Sequence, residues 1–220
     1  MAEWPIAAVL KTAVGQPTVG SNPTSSDSIS TLGLFLKKSQ GLNAPFLLNE
    51  KENLSMHSIV QKTVILLVGI CVRTNNKQEV DKIDGKIFPL VKSYFHEALA
   101  EKIPLRKNPG TTFCAYTDYE SDEHGDYTYF IGEEVTAFND SLPEGFQALT
   151  IPAQTYAKFT TEPDPMPDVL LKAWNTVWNI STQDLGGKRT YVTDFELYDE
   201  RAKDHQNIVL DLYIAIKPTP

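Results

Sequence analysis

The 220-residue chain lacks the marks of secreted, metal-binding and membrane-spanning proteins. It has only two cysteines, Cys71 and Cys114, both inside apolar runs, which favours buried free thiols in a reducing cytosol over a disulfide. Its four histidines are scattered, and no Cys-x-x-Cys or His-Glu-x-x-His spacing occurs, so we predict neither a metal site nor a cofactor. The longest apolar run, residues 63–72, is too short to span a bilayer. We therefore expect a cytoplasmic protein without a membrane partner.

The chain also lacks an excess of basic residues. It has 20 Lys and Arg against 28 Asp and Glu, a formal charge of −8. Residues 1–55 contain four lysines and four acids and are neutral, so the whole negative charge belongs to residues 56–220. An acidic domain repels a phosphate backbone and attracts cations. With no basic, paired-helix segment in residues 1–55, we predict no direct nucleic-acid binding and a weak preference for cationic partners.

Residues 1–55 show neither the period of a strand nor that of a helix. Residues 15–30 are rich in Gly, Pro, Ser, Thr and Asn, which predicts disorder or weak local structure. The opening residues also resemble a conceptual translation through a transfer-RNA gene. They are thus either a genuine disordered tail or an extension from a start codon placed too far upstream, with Met56 as the true start. We expect one folded domain over residues 56–220.

That domain repeats one order of elements twice. Each unit reads as a strand, a helix and a hairpin, at residues 59–74, 81–102 and 111–138 in the first, and 146–161, 166–180 and 190–217 in the second. Two tandem β-α-β-β units predict an α+β fold with one antiparallel sheet and both helices on one face. The seam between the units then leaves a ligand groove on the other face.

Two prolines interrupt this pattern. Pro89 lies inside the predicted helix 81–102, and the helix starts near it if the proline occupies the first turn. Pro152 lies inside the strand 146–161 and predicts an edge or a bulge, because proline donates no hydrogen bond to a strand partner.

The stretch 191–200, YVTDFELYDE, contains the most suggestive carboxylate. Side chains alternate along a strand, so Phe195 and Leu197 share one face, and Glu196 lies on the opposite face with Asp194 and Tyr198. If Phe195 and Leu197 face the core, two interpretations of Glu196 remain open. It is either a solvated residue on an exposed face, or a covered carboxylate that requires a cationic partner or a proton.

Five stretches resemble the gyrase-inhibitor-like (GyrI-like) family, the effector-binding domains of AraC-type bacterial transcription activators. They are VGICVRTNN (68–76), YTDYESDEHGDYTYFIGEEV (116–135), IPAQTYAKFTTEPDPMPDVLLKAWNTVW (151–178), YVTDFELYDE (191–200) and VLDLYIAIK (209–217). The resemblance implies the duplicated fold and a groove that binds amphipathic, often cationic, small molecules. Glu196 matches the glutamate that this family commonly places in the pocket. By position, the resemblance adds aromatic residues at Trp174, Trp178, Tyr116, Tyr198 and Tyr213.

The resemblance leaves three functions open. The first is a stand-alone sensor or sequestering protein for an amphipathic small molecule. The second is a hydrolase of reactive, cyclopropane-bearing electrophiles, with Glu196 activating a water and a tyrosine polarising the leaving oxygen. The third is an inhibitor that binds a protein partner, a regulator or gyrase, with the acidic turn at residues 120–126 imitating a phosphate backbone.

Overall fold

The computed structural model describes residues 57–80 and 85–219. Residues 1–55, predicted to be a disordered or spurious extension, lie outside the described residues, as does the start of the predicted first helix at residues 81–84. Within the described ranges, no helix is long and apolar enough to cross a membrane.

The described chain contains nine strands, three α-helices and two short 3-10 helices. The strands are β1 (Ser58–Lys62), β2 (Ile65–Thr74), β3 (Thr112–Thr117), β4 (Tyr127–Glu134), β5 (Gln147–Ile151), β6 (Gln154–Thr160), β7 (Gly187–Arg189), β8 (Thr193–Tyr198) and β9 (Asp211–Pro218). The α-helices are α1 (Asn76–Val80), α2 (Ile87–His96) and α3 (Asp168–Asn179), and the 3-10 helices are Leu99–Lys102 and Glu200–Ala202.

All nine strands belong to antiparallel pairs, in the order β1-β6-β9-β8-β3-β4-β2-β5 with β7 beside β9. Strands β3 and β8 pair at the centre, from Thr112 opposite Tyr198 to Thr117 opposite Thr193, and so join the two β-α-β-β units. The predicted α+β class and antiparallel sheet are confirmed.

Each predicted long strand divides into two. The first becomes β1 and β2, and the second becomes β5 and β6 on either side of Pro152. The two pairs nevertheless follow one register, from Ser58 opposite Lys158 to Gly69 opposite Gln147. β1, at one end of the strand order, continues into β2 near the other end, and their partners β6 and β5 are joined in the same way. This pairing therefore connects the two ends of the sheet.

Helix α2 is shorter than predicted. It begins at Ile87, so Pro89 lies in its first turn, where a missing backbone N–H removes no intrahelical bond. The carboxylate of Glu79 accepts from the backbone N–H of Lys86 at 2.9 Å and of Ile87 at 3.2 Å. Just after the helix, Ala98 adopts a left-handed conformation with φ of 49°. The predicted continuation to residue 102 is therefore a separate 3-10 helix.

Both faces of the sheet carry a packed core. On one face, α2 and α3 cover the strands, with Val91, Tyr94 and Ala173 among the buried residues. On the other face, Phe195 stacks on Tyr213 with ring centroids 4.5 Å apart, inside a second cluster of buried side chains. The curled sheet closes over this second cluster, so apolar packing occupies the face on which we predicted the groove.

Candidate functional site

A cavity of about 80 Å³ lies on the helix-bearing face of the sheet. Helix α3 contributes four of its lining residues and the start of α2 contributes one, while the hairpin β3–β4 provides the floor. The full lining is Asn76, Glu79, Ile87, Tyr116, Tyr119, Glu123, Tyr127, Leu170, Leu171, Trp174, Trp178 and Arg189. The predicted position of the groove, on the face away from the helices, is corrected here: the cavity opens beside the helices, above the central strands.

Glu196 lies directly behind the floor of this cavity. It is only 1% exposed, and each of its carboxylate oxygens accepts hydrogen bonds. Oε1 accepts from the hydroxyl of Tyr116 at 2.8 Å and from the indole N–H of Trp174 at 2.7 Å, and Oε2 accepts from the hydroxyl of Tyr198 at 2.7 Å. Of the two interpretations left open by the sequence, the covered carboxylate is correct.

Strand alternation and register bring these side chains together. On β8, Asp194, Glu196 and Tyr198 point to the helix-bearing face, while Phe195 enters the opposite cluster. On β3, Tyr116 pairs with Asp194 of β8 and with Tyr129 of β4, which sets three side chains in one row across the sheet. Trp174 reaches the same place from α3 above.

Glu196 differs from the other buried acids of the described chain in its partners. Those acids have a cation or the start of a helix beside them: Asp194 has Arg189, Asp211 has Arg201 and Lys158, Glu133 has Arg106, and Glu79 has the first backbone N–H groups of α2. Glu196 has three neutral side-chain donors. Burial raises the pKa of Glu196, and the hydrogen bonds from Trp174, Tyr198 and Tyr116 offset part of that rise.

Aromatic rings surround the carboxylate. The ring of Tyr116 lies 5.0 Å from that of Trp174, 5.6 Å from that of Tyr127 and 5.3 Å from that of Tyr129. Trp174 is in turn 6.0 Å from Trp178 at the cavity surface. Burial, and then the nearby Glu196, raise the pKa of Tyr116 well above its ordinary value. Its hydroxyl therefore stays protonated at neutral pH and donates the hydrogen bond to Glu196.

Sequence reasoning missed a polar corner of the cavity around Arg189. This side chain binds Asp194 at 2.8 Å and lies over the ring of Tyr191, 4.4 Å from its centroid. The hydroxyl of Tyr119 also donates to Asp194, at 3.1 Å. One signal was available: Asp194 shares a strand face with Glu196, and a buried acid requires a partner, which Arg189 supplies from five positions earlier.

The structure brings together five of the six predicted site residues. Tyr116, Trp174, Trp178 and Tyr198 surround Glu196 or line the cavity above it. Tyr213 is separated from them because it lies on the opposite face of the sheet, stacked on Phe195. There the ammonium of Lys62 is 4.6 Å from its ring centroid, and burial raises the pKa of Tyr213 to about 12.

Comparisons with known proteins show the family and the fold of this chain. The sequence model of a family described as Cass2, integron-associated effector binding protein, matches residues 58–216. YobU of Bacillus subtilis (strain 168), which is named as a transcriptional regulator, is 28% identical over 149 residues, 68% of this chain and 90% of YobU. The crystal structure of an integron cassette protein from the mobile metagenome of Vibrio cholerae is 26% identical with a TM-score of 0.61, covering 75% of this chain and 98% of that one. The structure of SAV2435 bound to tetraphenylphosphonium has a TM-score of 0.58 at 17% identity, covering 74% of this chain and 94% of that one.

Proposed function

Because the chain belongs to the Cass2 family of integron-associated effector-binding proteins, we propose that its cavity binds an amphipathic small molecule with a cationic or electrophilic centre. Family membership confirms the predicted gyrase-inhibitor-like resemblance. The observation that carries the proposal is Glu196, a buried carboxylate with no cationic partner among the described residues, directly behind an aromatic cavity floor. The protein then acts as a sensor or a sequestering protein for that ligand.

The aromatic floor and the carboxylate favour a cation together. The side chains of Tyr116 and Trp174 line the cavity, and a cation–π contact with such a ring contributes about 0.5–2 kcal/mol. Both residues also donate to Glu196, so its negative charge lies one hydrogen bond behind them. In this water-poor site the charge is screened weakly and selects cations over neutral molecules of the same shape.

A drug-sized ligand requires the cavity to widen. Pockets for such ligands measure on the order of 300–1,000 Å³, against the cavity volume of about 80 Å³ here. Trp178 is the half-buried ring at the surface, and its movement on α3 is the simplest route to a larger space. A protein of the same fold holds tetraphenylphosphonium, which supports the capacity of this fold for a bulky lipophilic cation.

The geometry favours binding over the two alternative functions. A hydrolytic glutamate must contact the attacking water, whereas Glu196 is only 1% exposed and is not among the residues that line the cavity. An acidic turn that imitates a phosphate backbone requires free acids, whereas the turn at residues 120–126 is tied to the domain. Asn75 donates to the carboxylate of Asp126 at 2.7 Å, and Tyr191 donates to Glu123.

The test is Glu196→Gln, which removes the charge and keeps the size. Benzyltrimethylammonium and neopentylbenzene serve as probes because they share a shape and differ in charge, and tryptophan fluorescence reports binding. We expect the affinity of the variant for the cation to fall about 10- to 100-fold, from a charged contact worth about 1.5–3 kcal/mol. Its affinity for the neutral probe stays unchanged.

The matched control is Glu134→Gln, the same chemical change at the end of β4, where the acid pairs with Lys107 outside the cavity lining. This control keeps the affinity of the parent for both probes. Equal cation affinity in Glu196→Gln and the parent would show that the charge of Glu196 does not select the ligand.

A further inference from the structure

Arg189 lines the same cavity and has N–H donors without a partner among the described residues. Its side chain is 11% exposed and makes one close ion pair, from Nη2 to Asp194 at 2.8 Å. Nη1 is 3.8 Å from Glu123, beyond hydrogen-bond distance. Nε is buried and has no hydrogen-bond partner among the described residues. A guanidinium has five N–H donors, so one edge of this group lacks an acceptor.

The position of Arg189 is set by its surroundings rather than by a ligand. Asp194 is 0% exposed and accepts from Arg189, from the hydroxyl of Tyr119 at 3.1 Å and from the backbone N–H of Ala215 at 2.7 Å. The ring of Tyr191 covers one side of the guanidinium. The charge of Arg189 is neutralised by Asp194, so the residue can donate hydrogen bonds in the cavity without repelling a cation bound nearby.

The two charged positions at the cavity, Glu196 behind the floor and the Asp194–Arg189 pair at the corner, are close to each other. Asp194 and Glu196 are two positions apart on β8, about 7 Å by the rise of a strand. Tyr116 lies between these two positions, because it is opposite Asp194 in the strand register and donates a hydrogen bond to Glu196. The backbone spacing of about 7 Å between Asp194 and Glu196 is close to the length of one aromatic ring with its substituents.

We propose that the cavity selects a bifunctional ligand, an aromatic cation with a hydrogen-bond acceptor about one ring length from its charged centre. Arg189 is the residue that donates a hydrogen bond to this acceptor. The inference rests on the proposed function, since the cation is placed by Glu196. The acceptor takes a hydrogen bond from Nη1, which lies 3.8 Å from Glu123 and has no closer acceptor among the described residues. Ketones, ethers and other neutral acceptors fit this corner.

The test compares two probes that differ in one atom group. They are 4-acetyl-N,N,N-trimethylanilinium and 4-isopropenyl-N,N,N-trimethylanilinium, in which a carbonyl oxygen replaces a methylene group. We expect the parent to bind the acetyl probe about tenfold more tightly, the size of one hydrogen bond to a charged donor. In the double variant Arg189→Met with Asp194→Asn, which removes both charges of the pair, the two probes bind equally.

Two further variants complete the experiment. The double variant Lys172→Met with Asp164→Asn removes an ion pair from the surface beside α3 and keeps the tenfold preference. Arg189→Lys retains the charge beside Asp194 but has only one terminal nitrogen, which pairs with Asp194 and leaves no second donor for the ligand. It therefore loses the preference, even if the double variant at Arg189 and Asp194 fails to fold.

The outcomes separate the two proposals. If the parent binds both probes equally, or if Arg189→Lys keeps the preference, the role of Arg189 is refuted while cation binding stands. If the parent binds neither probe, the proposed function fails, and this inference fails with it.

Discussion

At the residue scale, Glu196 combines a cost for folding with a use in binding. A carboxylate removed from water without a cation is unfavourable, and three neutral donors compensate for only part of the loss. A cationic ligand supplies the missing charge when it enters above Tyr116 and Trp174. The unfavourable free energy of burying the unpaired carboxylate in the empty protein is then offset in the complex, where it favours cations over neutral ligands.

The raised pKa of Glu196 predicts a dependence of binding on pH. As the pH falls, Glu196 takes up its proton above the ordinary glutamate value of about 4.3, and the affinity for a cation decreases with the charge. The same shift means that the contribution of Glu196 to the free energy of unfolding is present in acid and is lost as the pH rises through its pKa. Titrations of benzyltrimethylammonium across the mildly acidic range measure the effect. Glu196→Gln should show a flat profile there, and a parallel slope in both proteins would assign the dependence to another group.

At the element scale, the antiparallel pairing of β2 and β4 depends on two glycines that lie opposite each other. Gly69 pairs with Gly132, and a Cβ added at Gly69 would lie 2.1 Å from the carbonyl oxygen of Ile131. That neighbour is backbone and cannot rotate away. The two strands can therefore lie this close only while both positions lack a side chain.

Gly69→Ala should consequently lower the free energy of unfolding by about 1–3 kcal/mol, the usual penalty for overpacking. Urea denaturation followed by circular dichroism measures the loss. Ser141→Ala, an exposed loop substitution, serves as the control and should stay within about 0.5 kcal/mol of the parent. Two coincident denaturation curves for Gly69→Ala and the parent would mean that the strands move apart at little cost.

At the scale of the whole molecule, we predict that residues 1–55 are dispensable for stability. The two units pair with each other through β3 and β8 and through the long strands. A chain that begins at Met56 should therefore keep the melting temperature of the full chain. Differential scanning calorimetry of the two chains provides the comparison, and a drop of more than a few degrees would show that the missing residues pack on the domain.

The charge of the molecule predicts the absence of specific DNA binding. The formal charge of −8 lies in residues 56–220, and a surface of this sign repels phosphate. Gel-shift titrations of the full chain at physiological salt should show no sequence-specific complex. A specific complex with a dissociation constant below about 1 μM would contradict this expectation, since specific protein–DNA affinities are tighter still.

Local chemistry in the sequence was enough to predict much of this protein. Period-2 and period-3.6 patterns predicted the order of strands and helices, Pro152 marked the division of the second long strand, and alternation placed Glu196 on the face opposite Phe195. Five short stretches of sequence were also sufficient to identify the family. These features depend on residues near one another in the chain, so a sequence pattern can report them.

Only the tertiary structure decided which face of the sheet holds the cavity. Alternation separates two faces, but the curl of the sheet and the pairing of β1 with β6 determine that one face closes into a core while the helices cover the other. Pairing with β9 places Tyr213 on the face away from Glu196 and brings Arg189 of β7 beside Asp194 of β8. These contacts depend on how strands distant in sequence pair with one another. Their positions therefore follow from the closure of the whole sheet rather than from any local pattern.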